Sequence, residues 1–213
     1  AQIVRALNSA VNLDVVNNSW RFVSVFGDDF RRNPEYEDAL EKLVSEGRGG
    51  LGTAIVFAAG NSGSTGSSNY NNFQNSQFTI AVGAVDADGS PSGFTSLGAN
   101  VLLSAGGRDI VSTDVDGKHD TSSGTSFAAP QVSAAVALML EANEDLGYRD
   151  IQQILAYSAR REGLSDDKLH GDGWQYNGAA NHNGGGLHFS DAFGYGFLNV
   201  HDAVRLAESW KAR

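Results

Sequence analysis

The chain has 213 residues, 41% of them apolar and 19% charged, which is enough to build a packed domain and too apolar for general disorder. Its formal charge is −10 at pH 7 and no basic tract occurs, so a nucleic-acid surface built on clustered lysine and arginine is excluded. It has no cysteine, which removes disulfides, thiolate zinc sites and a cysteine nucleophile together.

In chain order, Leu13-Asp14-Val15-Val16 is a short apolar run of the kind that forms a buried strand. Asn33-Pro34 followed by Glu35-Tyr36-Glu37-Asp38 predicts a helix start, with Asn33 as cap, proline in the first turn and acids that suit the helix dipole. That helix turns Ala39, Leu40, Leu43 and Val44 inward and stops at Gly47. Thr53 through Ala59 is the strongest buried-strand pattern, and Thr79–Val85, Val101–Ser104 and Ile110–Ser112 repeat it. Between them Gly63 to Asn75, mostly Ser, Gly and Asn with two aromatics, reads as a long loop. A helix from Ser126 to Asn143 carries apolar side chains on most of its circumference (Phe127, Ala128, Ala129, Val132, Ala134, Ala135, Val136, Leu138 and Leu140), which predicts central burial. Two further helices are expected from Asp150 to Arg160, on Ile151, Ile154 and Leu155, and from Asn199 to Trp210, on Val200, Ala203, Val204 and Leu206. Strands alternating with helices predict an α/β fold with a mainly parallel sheet flanked by helices. The longest apolar run, Ala134 to Leu140, is far short of the ~20 residues that span a bilayer, and the first residues do not read as a signal peptide. No membrane partner is expected.

Two segments carry chemistry. Gly124-Thr125-Ser126-Phe127-Ala128-Ala129-Pro130 opens the apolar helix. A serine there can simply cap the first N–H groups. However, Ser122 and Thr125 could do that equally well, leaving Ser126 free on a rigid helix whose N–H groups point at a developing oxyanion. The second segment, Ala58-Ala59-Gly60-Asn61-Ser62-Gly63, ends the strongest strand, where open α/β sheets bind ligands. Each segment alone is an ordinary cap or turn.

Together they resemble the subtilisin-like serine proteases, whose nucleophile lies in Gly-Thr-Ser-x-Ala-x-Pro and whose oxyanion asparagine lies in Ala-x-Gly-Asn. In subtilisin that asparagine precedes the serine by about 66 residues; Asn61 and Ser126 are 65 apart. Further segments look like the kexin and furin-like branch: Val16-Asn17-Asn18-Ser19-Trp20, Glu46-Gly47-Arg48-Gly49-Gly50-Leu51-Gly52, Leu140-Glu141-Ala142-Asn143 and Phe193-Gly194-Tyr195-Gly196-Phe197-Leu198-Asn199.

The resemblance implies a subtilisin-like fold and a secreted or periplasmic serine endopeptidase acting on peptide or protein substrates. Ser126 would be the nucleophile and Asn61 the oxyanion donor. A peptide would lie along Asn18, Ser19 and Trp20, with Ala58, Ala59, Gly60, Asn71 and Thr125 around the pocket for P1, the residue whose carbonyl is attacked. In subtilisin the catalytic histidine lies about 157 residues before the serine, whereas 125 residues precede Ser126. Residues 1–213 are therefore expected to be the C-terminal two-thirds of one peptidase domain, incomplete at the N-terminus, with the Asp and His on an upstream half that acts as its partner. His119, His170, His182, His188 and His201 read as ordinary loop or helix histidines. The rival reading is an inactive protease-like module for binding or structure.

The kexin-like branch keeps an aspartate in an Asn-Tyr-Asp-Gly-Tyr segment that pairs with a basic P1 side chain. Here Asn69-Tyr70-Asn71-Asn72-Phe73 puts an amide at that place, and Arg21 follows Trp20 where glycine is usual. A neutral or mixed P1 preference is expected, unless Asp28 or Asp29 compensates. No cofactor is required for the chemistry and no metal ligand is assigned. Asp86-Ala87-Asp88-Gly89-Ser90 and Asp114-Val115-Asp116-Gly117 suit either Asp-Gly turns or a structural calcium, the latter by resemblance.

Overall fold

A computed structural model describes residues 2–166, 173–176, 178 and 186–212. Helix α1 spans Gln2–Ser9, followed by strand β1 (Val15–Asn18), α2 (Pro34–Glu46), β2 (Ala54–Ala58), β3 (Thr79–Val85) and β4 (Val101–Gly106). A hairpin of β5 (Ile110–Thr113) and β6 (His119–Ser122) precedes α3 (Thr125–Ala142) and α4 (Tyr148–Ser158). Short strands β7 (Gln175–Tyr176) and β8 (His188–Phe189) lead to α5 (Val200–Ser209).

The central sheet has order β1-β2-β3-β4 and is parallel throughout. Alternation along β2 divides the core. Ala54, Val56 and Ala58 face Val132, Val136 and Met139 of α3, whereas Ile55 and Phe57 face Leu40 and Leu43 of α2. The sheet is thus covered on both faces, as a parallel sheet requires. Small side chains on both sides, Ala54 and Ala58 on the strand and Ala128 and Ala129 on the helix, let α3 lie close over the sheet's carboxyl ends. Leu43 is fully buried, and Leu43→Ala should cost about 2–5 kcal/mol in urea unfolding; a loss below about 1 kcal/mol would show that α2 is loosely packed.

Several expectations need correction. Ile110–Ser112 belongs to the antiparallel β5–β6 hairpin and not to the parallel sheet; its Val111 is exposed because the hairpin stands off the core. Asn33 precedes α2, but its side chain donates to the Asp29 carbonyl (3.2 Å) and caps nothing. Helix α4 begins at Tyr148, two residues early, because the Asp150 carboxylate folds back to accept the Gly147 N–H (3.0 Å). The other oxygen of Asp150 accepts from the Trp210 indole (2.9 Å), which ties the chain's last turn to α4. Val200, expected inward, is exposed at the start of α5. Helix α3 is not buried all round: Ala134, Ala137 and Leu138 form an exposed stripe, with Leu138 46% accessible.

Candidate active site

The carboxyl ends of β1 and β2 and the first turn of α3 meet around Ser126. Gly124 has φ +155°, a conformation that suits glycine, and a Cβ there would come within 3.1 Å of the Asn61 amide nitrogen. The chain can therefore pass under Asn61 and enter the helix without a side chain of its own to cap it. The cap comes instead from the neighbouring strand end. Asn61 Oδ1 accepts the Thr125 N–H (3.0 Å) and the Thr125 hydroxyl (2.8 Å), while the Gly60 N–H donates to Thr125 Oγ1 (3.2 Å). Thr125 is buried and ties the two segments together.

This arrangement orients the asparagine. Its carbonyl oxygen is spent on Thr125, so its Nδ2 group is left to donate, and it makes no hydrogen bond among the described residues. The Ser126 N–H lies in the first turn of α3, where no helical carbonyl stands four residues back. Two unspent donors thus belong to residues that line one cavity with the Ser126 hydroxyl. That hydroxyl donates weakly to the Ser19 carbonyl (3.4 Å), and Ser19 Oγ returns a bond to the Ser126 carbonyl (3.0 Å). Ser126 is partly exposed.

A cavity of about 280 Å³ opens beside it. Ser19, Trp20 and Arg21 form one wall, and Ala58, Gly60 and Asn61 the other, with Thr125 and Ser126 closing the end. Asn18 is behind the wall: buried, it donates to the Val56 carbonyl (3.3 Å) and accepts from the Trp20 indole (3.1 Å), fixing Trp20. Ala59 is fully buried in the sheet continuation, its N–H on the Val82 carbonyl (2.9 Å). Asn71 does not line this cavity. It is buried, its backbone bonded to Ser68 and Asn75. The sequence pattern could not place it because the loop of residues 63–75 coils into two short 3₁₀ turns. Asp28 does not line the cavity either; its carboxylate, fully buried, accepts the Phe73 N–H (2.9 Å). A residue absent from the expected set is Gln74, whose amide donates to the carbonyls of Trp20 (3.1 Å) and Ala58 (3.3 Å) and so joins the two walls from beneath.

Among the described residues no histidine lines the cavity. His119 is exposed on β6. His201 has a carboxylate neighbour, Asp202 at 2.9 Å, but the pair is solvent-exposed on α5. His188 packs edge-on against Trp174, and burial, with the nearby Arg161 charge, pushes its imidazole below the ordinary value. His170 and His182 lie outside the described residues. The loop at 86–90 does not fit a calcium ion: Asp86 is taken by Arg108 (2.7 Å) and the Ser92 hydroxyl, and Asp88 by the Ser90 N–H (2.9 Å) and hydroxyl. Asp114 and Asp116 lie in the exposed β5–β6 connection. Among the described residues no group of three His, Asp or Glu side chains converges, and no helix is long and apolar enough to cross a membrane.

The model of the subtilase family matches residues 1–196. The chain belongs to the subtilase family. It is 34% identical over 182 residues to neuroendocrine convertase 2 of Drosophila melanogaster, covering 81% of this chain and 26% of that protein. It is 37% identical over 188 residues to a dibasic-processing endoprotease of Yarrowia lipolytica, covering 82% and 18%. This subtilase chain therefore spans between about a fifth and a third of these and similar curated relatives. A serine protease of Aeromonas sobria, solved with its chaperone, superposes with a TM-score of 0.79 at 23% identity, covering 93% of this chain and 44% of that one. That likeness supports the subtilisin-like fold, and the convertase relatives support the kexin-like branch.

Proposed function

We propose that the chain is the serine-bearing part of a secreted or periplasmic endopeptidase. The observation that carries this reading is Asn61, its oxygen held by Thr125 and its amide nitrogen unspent, in the cavity that Ser126 also lines. In the proposed reaction Ser126 Oγ attacks the scissile carbonyl carbon and its proton passes to a histidine of an upstream segment. The oxyanion is held by Asn61 Nδ2 and the Ser126 N–H. The same histidine protonates the leaving amine, and water then hydrolyses the acyl ester by the reverse transfer. A substrate strand would lie along Asn18, Ser19 and Trp20, taking main-chain bonds.

An upstream half would find two surfaces: among the described residues β1 is an unpaired sheet edge, and the stripe of α3 is exposed. These are surfaces a lone domain would cover. The dibasic preference named for the Yarrowia relative is not carried over, because among the described residues no carboxylate lines the cavity.

Thr125 is a positioning residue in this scheme. Thr125→Val removes one donor to Asn61 Oδ1, and a net hydrogen bond of about 1 kcal/mol corresponds to roughly a fivefold to tenfold loss in turnover with little change in KM. Steady-state kinetics of the full-length protease checks it. An increase in KM at constant kcat would make Thr125 part of substrate binding instead.

A further inference from the structure

The charged group in the cavity wall is a cation. Arg21 leaves the Trp20 wall and crosses towards the opposite side: its Cδ and Nε lie 3.0 and 3.2 Å from where a Cβ of Gly60 would stand. One terminal nitrogen donates to Ser62 Oγ (2.8 Å) and the other to the Phe22 carbonyl (3.2 Å). Both acceptors are neutral. A guanidinium carries five N–H donors, so most of its capacity is unspent. The acids closest in sequence face other groups: Asp14 pairs with Arg48 (3.6 Å), Asp28 accepts the Phe73 N–H through one oxygen while its other, buried oxygen has no hydrogen-bond partner among the described residues, and Asp29 meets Arg32 (3.5 Å) and the Arg31 N–H. Among the described residues no carboxylate forms an ion pair with Arg21.

Resting on the protease reading above, we propose that Arg21 is the specificity determinant of the P1 pocket and that it selects an acidic P1 side chain, aspartate or glutamate. A carboxylate entering beside Ser126 meets a half-buried, planar donor fork that it can engage through two parallel bonds. The bond to Ser62 is to a hydroxyl, which the incoming carboxylate can replace or share. A basic P1 side chain meets a like charge in a confined space and finds no acid, so the same residue attracts one class and rejects the other. Gly60 is what makes room for this crossing, since any side chain there would meet Arg21 at about 3 Å. Arg21 is therefore built into the site and not a surface arginine that swings freely.

The test uses the full-length protease and internally quenched peptides that differ only at P1. Aspartate or glutamate should be cleaved at least about tenfold faster, in kcat/KM, than leucine, and about a hundredfold faster than arginine. Arg21→Gly should lower the aspartate-to-leucine ratio at least about tenfold, and Arg21→Glu should invert the aspartate-to-arginine order. In parallel, the same peptides are titrated onto the Ser126→Ala protein, where binding is expected to rank in the same way. Cleavage that favours arginine or is indifferent to P1 charge overturns the acidic pocket and leaves the protease reading standing. So does a general rise for large P1 residues in Arg21→Gly at an unchanged aspartate-to-leucine ratio, which would make Arg21 a plug. Absence of cleavage with the acidic ranking kept in the binding titration overturns the protease reading and leaves the pocket.

Discussion

Purified residues 1–213 should hydrolyse no peptide bond at a useful rate, whereas the protein that also carries an upstream Asp and His segment should, and Ser126→Ala should abolish that activity. The expectation has two supports. Ser126 and Asn61 line one cavity, but among the described residues no histidine borders it. A serine hydroxyl without a base is a poor nucleophile at neutral pH. In subtilisin the loss of the serine or the histidine alone costs about 10⁶ in turnover, nearly as much as losing the whole triad, and leaves about 10³–10⁴ over water from the oxyanion hole and binding. Residues 1–213 alone should sit at that residual level, and Ser126→Ala in the full-length protease should fall to it. Fluorogenic turnover of the two proteins side by side decides the matter. Robust cleavage by residues 1–213, lost on Ser126→Ala, would mean that a histidine of this chain reaches Ser126 after all.

The legible part of this molecule was the part governed by local pattern. β3 matches its expected span of Thr79–Val85 at both ends because a fully buried parallel strand is a continuous apolar run bounded by polar residues. Ser126 and Asn61 were legible because their motifs are short and contiguous, and their juxtaposition follows from the strand and the helix that carry them. What was not legible depended on side chains crossing between segments. Asn61 capping α3 from the end of β2 is a contact between residues 64 apart, and no rule about residues adjacent to a helix start could find it. Gln74 bridging both walls and Arg21 reaching Ser62 are contacts of the same kind. The exposed stripe on α3 was missed for a different reason. Ala134 and Leu138 are apolar and read as core, but the described part of the fold has nothing to cover them or the neighbouring Ala137. Hydrophobic pattern states what a surface needs, and a partner segment supplies it only when present.

Asn61→Leu in the full-length protease should lower kcat by about 10²–10³ and leave KM nearly unchanged, the effect known for this substitution's counterpart in subtilisin. The geometry explains why the loss should fall on turnover. Asn61 Nδ2 is held away from Thr125 by the two bonds to Oδ1, so it is pre-oriented towards the place where negative charge develops. A ground-state carbonyl carries only a partial charge and gains little from it, whereas the tetrahedral oxyanion gains a full charge-assisted bond. Leucine keeps the volume and removes both functions of the amide. It therefore also frees the Thr125 N–H and hydroxyl, so part of the loss belongs to the start of α3 losing its cap. Asn61→Asp separates the two: its oxygen still accepts from Thr125, but no N–H faces the oxyanion and a carboxylate stands in its place. If the oxyanion role dominates, Asn61→Asp should be at least as inactive as Asn61→Leu while melting closer to the unmutated protein. Equal melting losses with Asn61→Asp retaining most of the turnover would make Asn61 a cap for α3 and nothing more.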